Sequence, residues 1–270
     1  MKKFEQEVKE GTRFEFGKNW LAFLSTLDDE RIKEAEKSLC DMLKVTDLSG
    51  KRFLDIGSGS GLFSLAAHRL GASVYSFDYD PTSVACTKEL KSRYSPNCTD
   101  WTIEEASVLD KTFLNSLCKF DIVYSWGVLH HTGDMWRALE NIISLVEKGG
   151  ILFIAIYNDC SIKSKFWLKA KTLYCSGIAG RIVACSIFVP YYLLKGYAEA
   201  VYKRRSISSN YKNNRGMSLF YDCIDWLGGL PYEFAKVEDI FTFYTNKGFV
   251  LRNIKTTNST AYNQFIFVKD

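Results

Sequence analysis

The amino-acid sequence predicts an α/β fold: a doubly wound sheet of seven strands, mostly parallel with the last strand antiparallel, and a helical cap inserted after the fifth strand. Three observations support this prediction. Apolar strand-like stretches alternate with helical patterns between residues 48 and 157, and such alternation is typical of a parallel sheet with helices on both faces. The alternation stops after residue 157. It returns at residue 235 with a helix and two strand-like stretches that are joined closely enough to pair antiparallel.

A helix is predicted ahead of the sheet, over residues 27–44. Apolar side chains recur there at helical spacing, and Thr26 with Asp29 is expected to cap its start. The first strand, KRFLDI, follows and ends at a glycine cluster. The next helix, LFSLAAHRL, is expected to end at Gly71, since glycine commonly follows the last helical residue.

The other parallel strands follow in the same rhythm. After the second strand, SVYSFD, Asp80 and Pro81 are suited to begin a helix as its N-cap and first-turn proline. The third strand is WTIEEA, with a short helix after Asp110. The fourth is FDIVYSW, with a helix over residues 134–146. A glycine pair then turns the chain into the fifth strand, ILFIAIY.

The order of the elements divides the chain into four segments. The last of them contains a helix, KVEDIFTFYTNKGF, and the two final strands, FVLRNIKTT and YNQFIFVKD. The predicted segments are an N-terminal helical segment (1–47), a sheet core (48–157), an inserted cap that forms the substrate region (158–234), and a helix with a strand pair that completes the core (235–270).

Composition and cysteine spacing are those of a folded protein without a metal site. Hydrophobic residues make up 47% of the 270 residues and charged residues 24%, which is ordinary for a globular chain. No two of the eight cysteines have C-x-x-C spacing, and no histidine lies at a zinc-ligand offset from a cysteine pair. The first residues lack a signal-peptide core, and the longest apolar run, 182–194, is too short to span a membrane. A cytoplasmic protein with reduced thiols is therefore expected.

Positive charge is concentrated in the predicted cap. Residues 160–216 contain eleven Lys or Arg and a single Glu, a net charge of +10, which leaves −6 for the remainder of a chain whose net charge is +4. A local basic excess of this size favours an anionic partner.

A glycine-rich turn follows the first strand in the stretch FLDIGSGSGLF, and it predicts a cofactor site. Glycines at a strand-to-helix turn let the backbone approach a ligand closely. Asp78 ends the second strand 21 residues after Gly57, where an acid accepts hydrogen bonds from a ribose. The dinucleotide fingerprint G-x-G-x-x-G would need glycine where Leu62 stands. S-adenosylmethionine is favoured instead, with Asp55 placed to hold its ammonium group through water or backbone.

Three stretches together resemble the class I S-adenosylmethionine-dependent methyltransferases. They are LDIGSGSG, SFDYDP and FDIVYSWGVLHHTGD with the ALENIISLVEKGGILFIAIYN that follows. The nearest group is the small-molecule enzymes that include ubiquinone-type methylases. The resemblance is strong over about residues 48–157 and weak over the last strands. It implies a Rossmann-like core, methyl transfer and S-adenosyl-L-methionine as cofactor.

The resemblance also implies which residues surround the cofactor. Those near the methionine part are Asp55, Gly57, Ser58, Gly59 and Gly61, and those around the ribose, adenine and sulfonium are Asp78, Tyr79, Ser107, Val108, Ser125, Trp126 and Gly127. The family often has Asp where this chain has Ser107, which weakens an adenine hydrogen bond there. The N-P-P-Y signature of enzymes that methylate nucleobase amines is absent, which argues against a nucleobase amine as acceptor. O-methylation is the expected reaction.

His130 and His131 follow the fourth strand and are the predicted catalytic residues. A neutral histidine suits removal of a proton from a hydroxyl acceptor, whereas an ionised oxygen acceptor would need cations instead. Adjacent side chains cannot both face the pocket, so one is expected to point inward. The resemblance favours neither decisively: a base lies at the His130 position in some relatives, and a histidine is commoner at the His131 position.

The cap is expected to choose the acceptor. Arg215, Tyr221 and Tyr232 are the candidate substrate contacts, with Asp222 and Asp225 beside them. The basic cap favours a small anionic metabolite or glycan precursor, including a phosphate- or phosphoramidate-bearing one in surface-polysaccharide modification. Two alternatives stay open: a lipid-linked, quinone-like acceptor at the membrane surface, and a non-catalytic partner protein that keeps the fold. Nucleic acid ranks last, because the chain contains no recognised RNA-binding module.

Aromatic residues are frequent in the N-terminal stretch RFEFGKNWLAF. Phe14, Phe16, Trp20 and Phe23 are interpreted as anchors of an N-terminal helix, because aromatics at such spacing usually pack in a core. Closure of this stretch over the cofactor is the alternative.

Overall fold

The computed structural model describes residues 2–202 and 226–270, and these residues form the predicted sheet. Its order is β3-β2-β1-β4-β5-β7-β6. Strands β1 to β5 pair in parallel, and β7 runs antiparallel to both β5 and β6. The strands are β1 (Arg52–Ile56), β2 (Ser73–Asp78), β3 (Trp101–Glu105), β4 (Phe120–Trp126), β5 (Val146–Tyr157), β6 (Phe249–Lys255) and β7 (Tyr262–Lys269).

The central strands are apolar on both faces because helices cover both. Leu54 of β1, Val123 of β4 and Ile154 of β5 have no exposed surface. One apolar cluster covers one face of the sheet and includes the C-terminal helix, while a second covers the other face and includes the helix before β1. Continuous apolar strands of this kind are the signature of a doubly covered parallel sheet.

The helices flank the sheet and extend beyond it at both ends of the core. Two 3₁₀ turns, Leu129–His131 and Ile142–Leu145, also occur. The α-helices are α1 (Lys2–Lys9), α2 (Gly17–Leu24), α3 (Asp29–Leu43), α4 (Leu62–Arg69), α5 (Pro81–Tyr94), α6 (Lys111–Ser116), α7 (Met135–Asn141), α8 (Ile162–Cys175), α9 (Ile178–Tyr202) and α10 (Val237–Thr245).

The cap of α3 differs from the predicted one. The side chain of Asp28 accepts a hydrogen bond from the N–H of Arg31 at 2.9 Å and caps the helix. The hydroxyl of Thr26 instead donates to the carbonyl of Phe23, where α2 ends. The prediction of a Thr26–Asp29 pair was wrong because two helices meet there, and Thr26 belongs to the end of the first one.

The fifth strand begins earlier than predicted. Helix α7 ends at Asn141, a 3₁₀ turn follows, and β5 starts at Val146 instead of Ile151. The pairing with β4 shifts register between Phe120 and Ile122, so the glycine pair lies in an irregular part of the strand. Val146 is fully buried, and this apolar contact is what extends the strand.

Helix α2 is fixed to the sheet by one short contact. Gly17 donates its N–H to Oδ2 of Asp80 at 2.7 Å, while Oδ1 of Asp80 accepts from the N–H of Thr82 at 2.8 Å and caps α5. A Cβ at position 17 would lie 2.5 Å from Cβ of Thr82. Only glycine allows this approach, so α2 is held above the carboxyl edge of the strands.

Helices α8 and α9 follow β5 and pack against each other. Trp167 of α8 contacts Phe188 and Tyr192 of α9 through ring centroids 5.4 and 6.0 Å apart. Within residues 2–202 and 226–270, no helix combines the length and the apolar character needed to cross a membrane.

Replacing Asp80 should both destabilise the protein and release the N-terminal helices. Asp80→Ala removes a helix cap and the bond to Gly17, which together contribute about 2–3 kcal/mol. Urea denaturation measures this loss, and limited proteolysis reports release of residues 2–28. Asp110→Ala is the matched control, because Asp110 caps only α6. Equal proteolysis of the two variants would contradict the role given to Asp80.

Candidate active site

A cavity of about 1260 Å³ lies along the carboxyl edge of the parallel strands. The N-terminal helices, the loops after β1, β2, β3 and β4, and the cap helices line it. Ligands of open α/β sheets bind at this edge, where the strand order reverses between β1 and β4. Its volume exceeds the roughly 300–1,000 Å³ usual for one small-molecule site, so it has room for a cofactor and an acceptor together.

The glycine loop after β1 forms one wall of the cavity. Gly57 and Gly59 have φ angles of 76° and 55°, which side chains rarely adopt. A Cβ on Gly57 would lie 2.4 Å from Val128, and one on Gly59 would lie 3.1 Å from the ring of Trp20. The loop is therefore held between the β4 loop and α2, with its backbone facing the cavity.

Asp78 organises the turn at the end of β2. Its Oδ2 accepts a hydrogen bond from the N–H of Gly59, and its Oδ1 accepts one from the N–H of Asp80, both at 2.9 Å. Burial raises the pKa of Asp78 to about 6. Because Asp80 caps α5, Asp78 is free of that task, as the sequence indicated.

Asp55 lies at the end of β1 on the floor of the cavity. Ser64 has one hydroxyl hydrogen and donates it to Oδ2 of Asp55 at 2.5 Å, so Ser76 must donate to Ser64 at 2.7 Å. The indole of Trp101 in turn donates to Ser76 at 2.9 Å. This chain of hydrogen-bond donors therefore ends at the carboxylate of Asp55.

Burial also raises the pKa of Asp55, to about 7, and the nearby Asp78 adds to the effect. Among the described residues, no Lys, Arg or His lies within salt-bridge distance of either carboxylate. Two buried acids without a cation, beside a cavity, favour a ligand that carries positive charge and hydroxyl donors. S-adenosylmethionine, with its ammonium group and ribose, fits this donor and acceptor set.

Arg13 links the two ends of the cavity. Its guanidinium lies 4.9 Å from the ring centre of Tyr79. The same group donates to the carbonyls of His131 and Thr132 at 2.9 and 3.3 Å, and it pairs with Glu7 at 2.6 Å. The N-terminal segment therefore spans the cavity from the loop after β2 to the loop after β4.

The other end of the cavity is walled by aromatic rings. Tyr157, the last residue of β5, stacks on Tyr262, the first residue of β7, with ring centres 4.6 Å apart. Trp126 packs on Tyr262 at 4.6 Å, and Trp226 meets Tyr157 at 5.6 Å. These rings and Tyr192 of α9 all line the cavity, so this end suits a flat or apolar ligand group.

His131 lines this end of the cavity, and one hydrogen bond determines which of its ring nitrogens carries the hydrogen. Its Nδ1 lies 2.5 Å from the carbonyl oxygen of Pro231. Because a carbonyl only accepts hydrogen bonds, Nδ1 carries the hydrogen, and Nε2 of the neutral ring keeps its lone pair. Burial, together with the nearby charges of Lys171 and Arg13, lowers the pKa of His131 to about 3. The ring is therefore neutral at physiological pH.

His130 lies behind the wall of the cavity. It is fully buried, and its ring lies 4.0 Å from that of Tyr157 and 4.6 Å from that of His131. Neither ring nitrogen has a hydrogen-bond partner among the described residues, and burial holds its pKa well below the usual value. The two candidate catalytic histidines thus occupy different positions, and His131 is the one that lines the cavity.

Residues 230–235 return from the cap and connect the parts of the site. The carbonyl of Leu230 accepts from the N–H of Phe14 at 2.9 Å. The N–H of Glu233 donates to the backbone carbonyl of His130 at 3.0 Å, and that of Ala235 donates to the backbone carbonyl of Tyr157 at 3.0 Å. The carboxylate of Glu233 also accepts from the N–H groups of residues 133 and 135 at 3.1 Å. Glu233 thereby caps the start of α7, a task that a neighbouring side chain would otherwise perform.

The structure brings most of the predicted cofactor residues to the cavity. Gly61 and Ser125 do not line it: Gly61 begins α4, and Ser125 is buried and donates to the carbonyl of Ile56. Tyr232 is buried beside Tyr157. Arg215, Tyr221, Asp222 and Asp225 lie outside the described residues.

Several lining residues were not predicted as part of the site. Phe14, Phe16 and Trp20, interpreted as helix anchors, also line the cavity. Tyr157 ends a strand at the ligand edge, and that position alone could have identified it. Arg13 and Pro231 carry no local signal, because their roles depend on partners 100 or more residues away.

The doubly wound sheet with an antiparallel β7, the glycine loop after β1 and the acid after β2 together define a class I S-adenosylmethionine-dependent methyltransferase, whose cofactor is S-adenosylmethionine. The family model described as a methyltransferase domain matches residues 27–182. The chain belongs to this family.

Curated relatives are similar over part of their length. The ubiquinone biosynthesis O-methyltransferase of Brucella melitensis is 31% identical over 111 residues, which are 41% of this chain and 43% of the relative. That of Rhizobium etli is 32% identical over 130 residues, 47% of this chain and 50% of the relative. The chain thus spans about half or less of the length of the curated relatives it matches.

Solved structures share the fold. Magnesium protoporphyrin IX methyltransferase from Synechocystis with bound S-adenosylmethionine aligns with a TM-score of 0.53 at 13% identity, over 88% of this chain and 79% of that one. A putative S-adenosylmethionine-dependent methyltransferase from Listeria monocytogenes also gives 0.53, at 12% identity over 88% and 99% of the two chains.

Cofactor binding should weaken as the pH falls. Asp55 has a pKa of about 7 in the folded protein, and the cofactor's ammonium group favours its ionised form. Below about pH 7 binding must release a proton, so affinity should fall by up to roughly tenfold per pH unit. Calorimetry between pH 8 and pH 5.5 measures this slope.

Asp55→Asn is the control for this prediction. It should bind the cofactor more weakly at pH 8 and lose most of the pH dependence above pH 6. A wild-type affinity that stays constant from pH 8 to pH 5.5 would refute the role given to Asp55.

Proposed function

We propose that the protein transfers a methyl group from S-adenosylmethionine to a hydroxyl oxygen of a small organic acceptor. The observation that carries this proposal is the geometry of His131. Its Nδ1 donates to the carbonyl of Pro231, which leaves the lone pair of Nε2 for the aromatic end of the cavity. A hydroxyl acceptor needs a base there, and an already ionised oxygen does not.

The cofactor end holds its ligand by charge and hydrogen bonds. Asp55 is proposed to face the ammonium group, and Asp78 the ribose hydroxyls. Tyr79, packed between Arg13 and Phe4, is proposed to face the adenine. Bound there, S-adenosylmethionine supplies an activated methyl group on a sulfur leaving group.

The chain's own contribution is to align the acceptor and to take its proton. An acceptor hydroxyl becomes strongly acidic as its oxygen gains the methyl group, so even a weak base such as His131 accepts the proton at Nε2. Nearby positive charges on Lys171 and Arg13 disfavour the protonated ring of His131. The ring therefore returns the proton to water and becomes neutral again. Alignment in a cavity walled by Trp126, Tyr157 and Tyr262 supplies the rest of the rate enhancement.

The aromatic wall also supports a class of acceptor, a hydroxyl on a flat, lipophilic ring. Rings favour ring-shaped ligands through stacking, and the similar proteins are named as O-methyltransferases of ubiquinone biosynthesis. This is the lipid-linked alternative of the sequence prediction.

The anionic or glycan acceptor stays a prediction. Lys163, Lys165, Lys169 and Arg181 are exposed and do not line the cavity, and Arg215 lies outside the described residues. The cations that do line it among residues 2–202 and 226–270 come from the N-terminal segment: Lys3, Arg13 and Arg31.

Replacing His131 should slow methyl transfer without weakening cofactor binding. His131→Ala removes the base and should lower kcat about 10²-fold or more, measured as transfer of labelled methyl to a panel of catechols and quinols. Added imidazole should restore part of the rate, which a merely structural residue would not show.

His130→Leu is the matched control, because His130 is buried and its nitrogens make no described hydrogen bond. An apolar residue there should keep stability and most of the activity, since it removes buried polar atoms without partners. Wild-type protein that binds the cofactor but methylates no hydroxyl in the panel would refute the proposed acceptor class. A larger loss in His130→Leu than in His131→Ala would refute the assignment of the base.

A further inference from the structure

Helices α8 and α9 present an unusually apolar outer surface. We call the exposed side chains of residues 162–197 the hairpin face. Ile162 and Ile178 are about four-fifths exposed, and Ile182, Ile187 and Leu194 are more than half exposed. Most of the exposed large apolar side chains in the described part of the chain belong to this face. Exposed apolar side chains concentrated on one pair of helices favour a site of interaction.

The hairpin face is not the side by which these helices pack on the protein. Their inner side already has its own small core, in which Tyr174, Ala184 and Leu227 are buried. Trp167 and Phe188 fill the space between the two helices. A helix that is apolar on its inner and outer sides is usually covered by protein or by lipid, so the outer side requires an apolar partner.

The charges on the hairpin face identify that partner. Among the side chains whose exposure the structure describes, every charged one exposed on this face is basic: Lys163, Lys165, Lys169 and Arg181. The sequence contains no Asp or Glu from residue 160 to residue 198. Apolar side chains interspersed with lysines, without acids, match the acyl boundary and the anionic headgroups of a bilayer. A second copy of the chain fits poorly, because pairing two such faces would bring like charges together.

We infer that the hairpin face docks on an anionic lipid surface. The helices would lie in the interface, with apolar side chains at the boundary of the acyl chains and lysines among the headgroups. The lysines of α8, spaced along the helix, would set the preference for anionic lipid.

The docking surface is continuous with the cavity. Tyr192 of α9 lines the aromatic end, while its neighbours Tyr191 and Leu193 are exposed on the hairpin face. Consecutive residues of α9 thus face the hairpin surface and the cavity. A lipophilic acceptor dissolved in the bilayer would have a short path to the cavity. This link to catalysis rests on the proposed function, whereas the docking itself does not.

Vesicle flotation with the full-length protein tests the inference. The protein should float with phosphatidylcholine vesicles that contain phosphatidylglycerol, and much less with phosphatidylcholine alone. The double variant Ile182→Glu, Ile187→Glu should reduce binding at least tenfold. Lys163→Gln, Lys165→Gln and Lys169→Gln should each weaken binding to anionic vesicles by roughly fivefold, as expected near a charged surface.

Val250→Glu is the matched control. Val250 lies on the edge strand β6 and is 48% exposed, close to the 57% of Ile187, so its replacement should leave flotation unchanged. Circular dichroism and cofactor calorimetry check that each variant is folded. Because flotation needs no methyl transfer, its result does not depend on the proposed acceptor.

Three results would overturn the inference. The first is wild-type protein that stays in the soluble fraction with anionic vesicles. The second is flotation that the Ile182→Glu, Ile187→Glu variant does not reduce. The third is a stable dimer without flotation that this variant dissociates, which would show that a second copy covers the hairpin face.

Discussion

The backbone of residues 230–235 holds the acceptor end of the site together. This short segment bonds to the N-terminal stretch at Phe14, to both histidines after β4 and to the end of β5. None of these parts is adjacent to it in sequence. The tautomer of His131, the start of α7 and the position of Tyr157 all depend on it. The site is therefore assembled by tertiary hydrogen bonds to one returning segment, on an edge that the parallel sheet provides.

Burial divides the cavity into two electrostatic halves. At the glycine loop it raises the pKa values of Asp55 and Asp78, because the ionised carboxylates lose hydration there. At the aromatic wall it lowers the pKa of His131, which keeps that half neutral and able to accept a proton. The same desolvation raises the pKa of a carboxylic acid and lowers that of an imidazole. A carboxylate becomes neutral by gaining a proton, whereas an imidazolium becomes neutral by losing one. Arg13 connects the halves, because it contacts Tyr79 and the carbonyls of His131 and Thr132.

Local patterns in the sequence predicted the fold well, and most of the residues predicted to hold the cofactor line the cavity. Strand rhythm, the glycine loop and Asp80 with Pro81 act through near neighbours, and the structure has them as expected. His131 and Trp126 were predicted at the acceptor half, but its contacts were not, because they are long-range: the bond from His131 to Pro231 spans 100 residues. No local pattern could tell which of two adjacent histidines faces the cavity. The cap of α3 and the start of β5 were misplaced where neighbouring elements overlap.

The central claim is that His131 offers an unprotonated Nε2 to the acceptor because Pro231 holds the hydrogen on Nδ1. Nitrogen-15 NMR of the imidazole rings, assigned with His130→Leu and His131→Gln, measures the tautomer directly. The structure predicts that His131 is neutral with Nδ1 protonated from pH 8 down to pH 5. An Nε2-protonated tautomer, or a ring that titrates near its ordinary pKa of about 6.5, would contradict the claim.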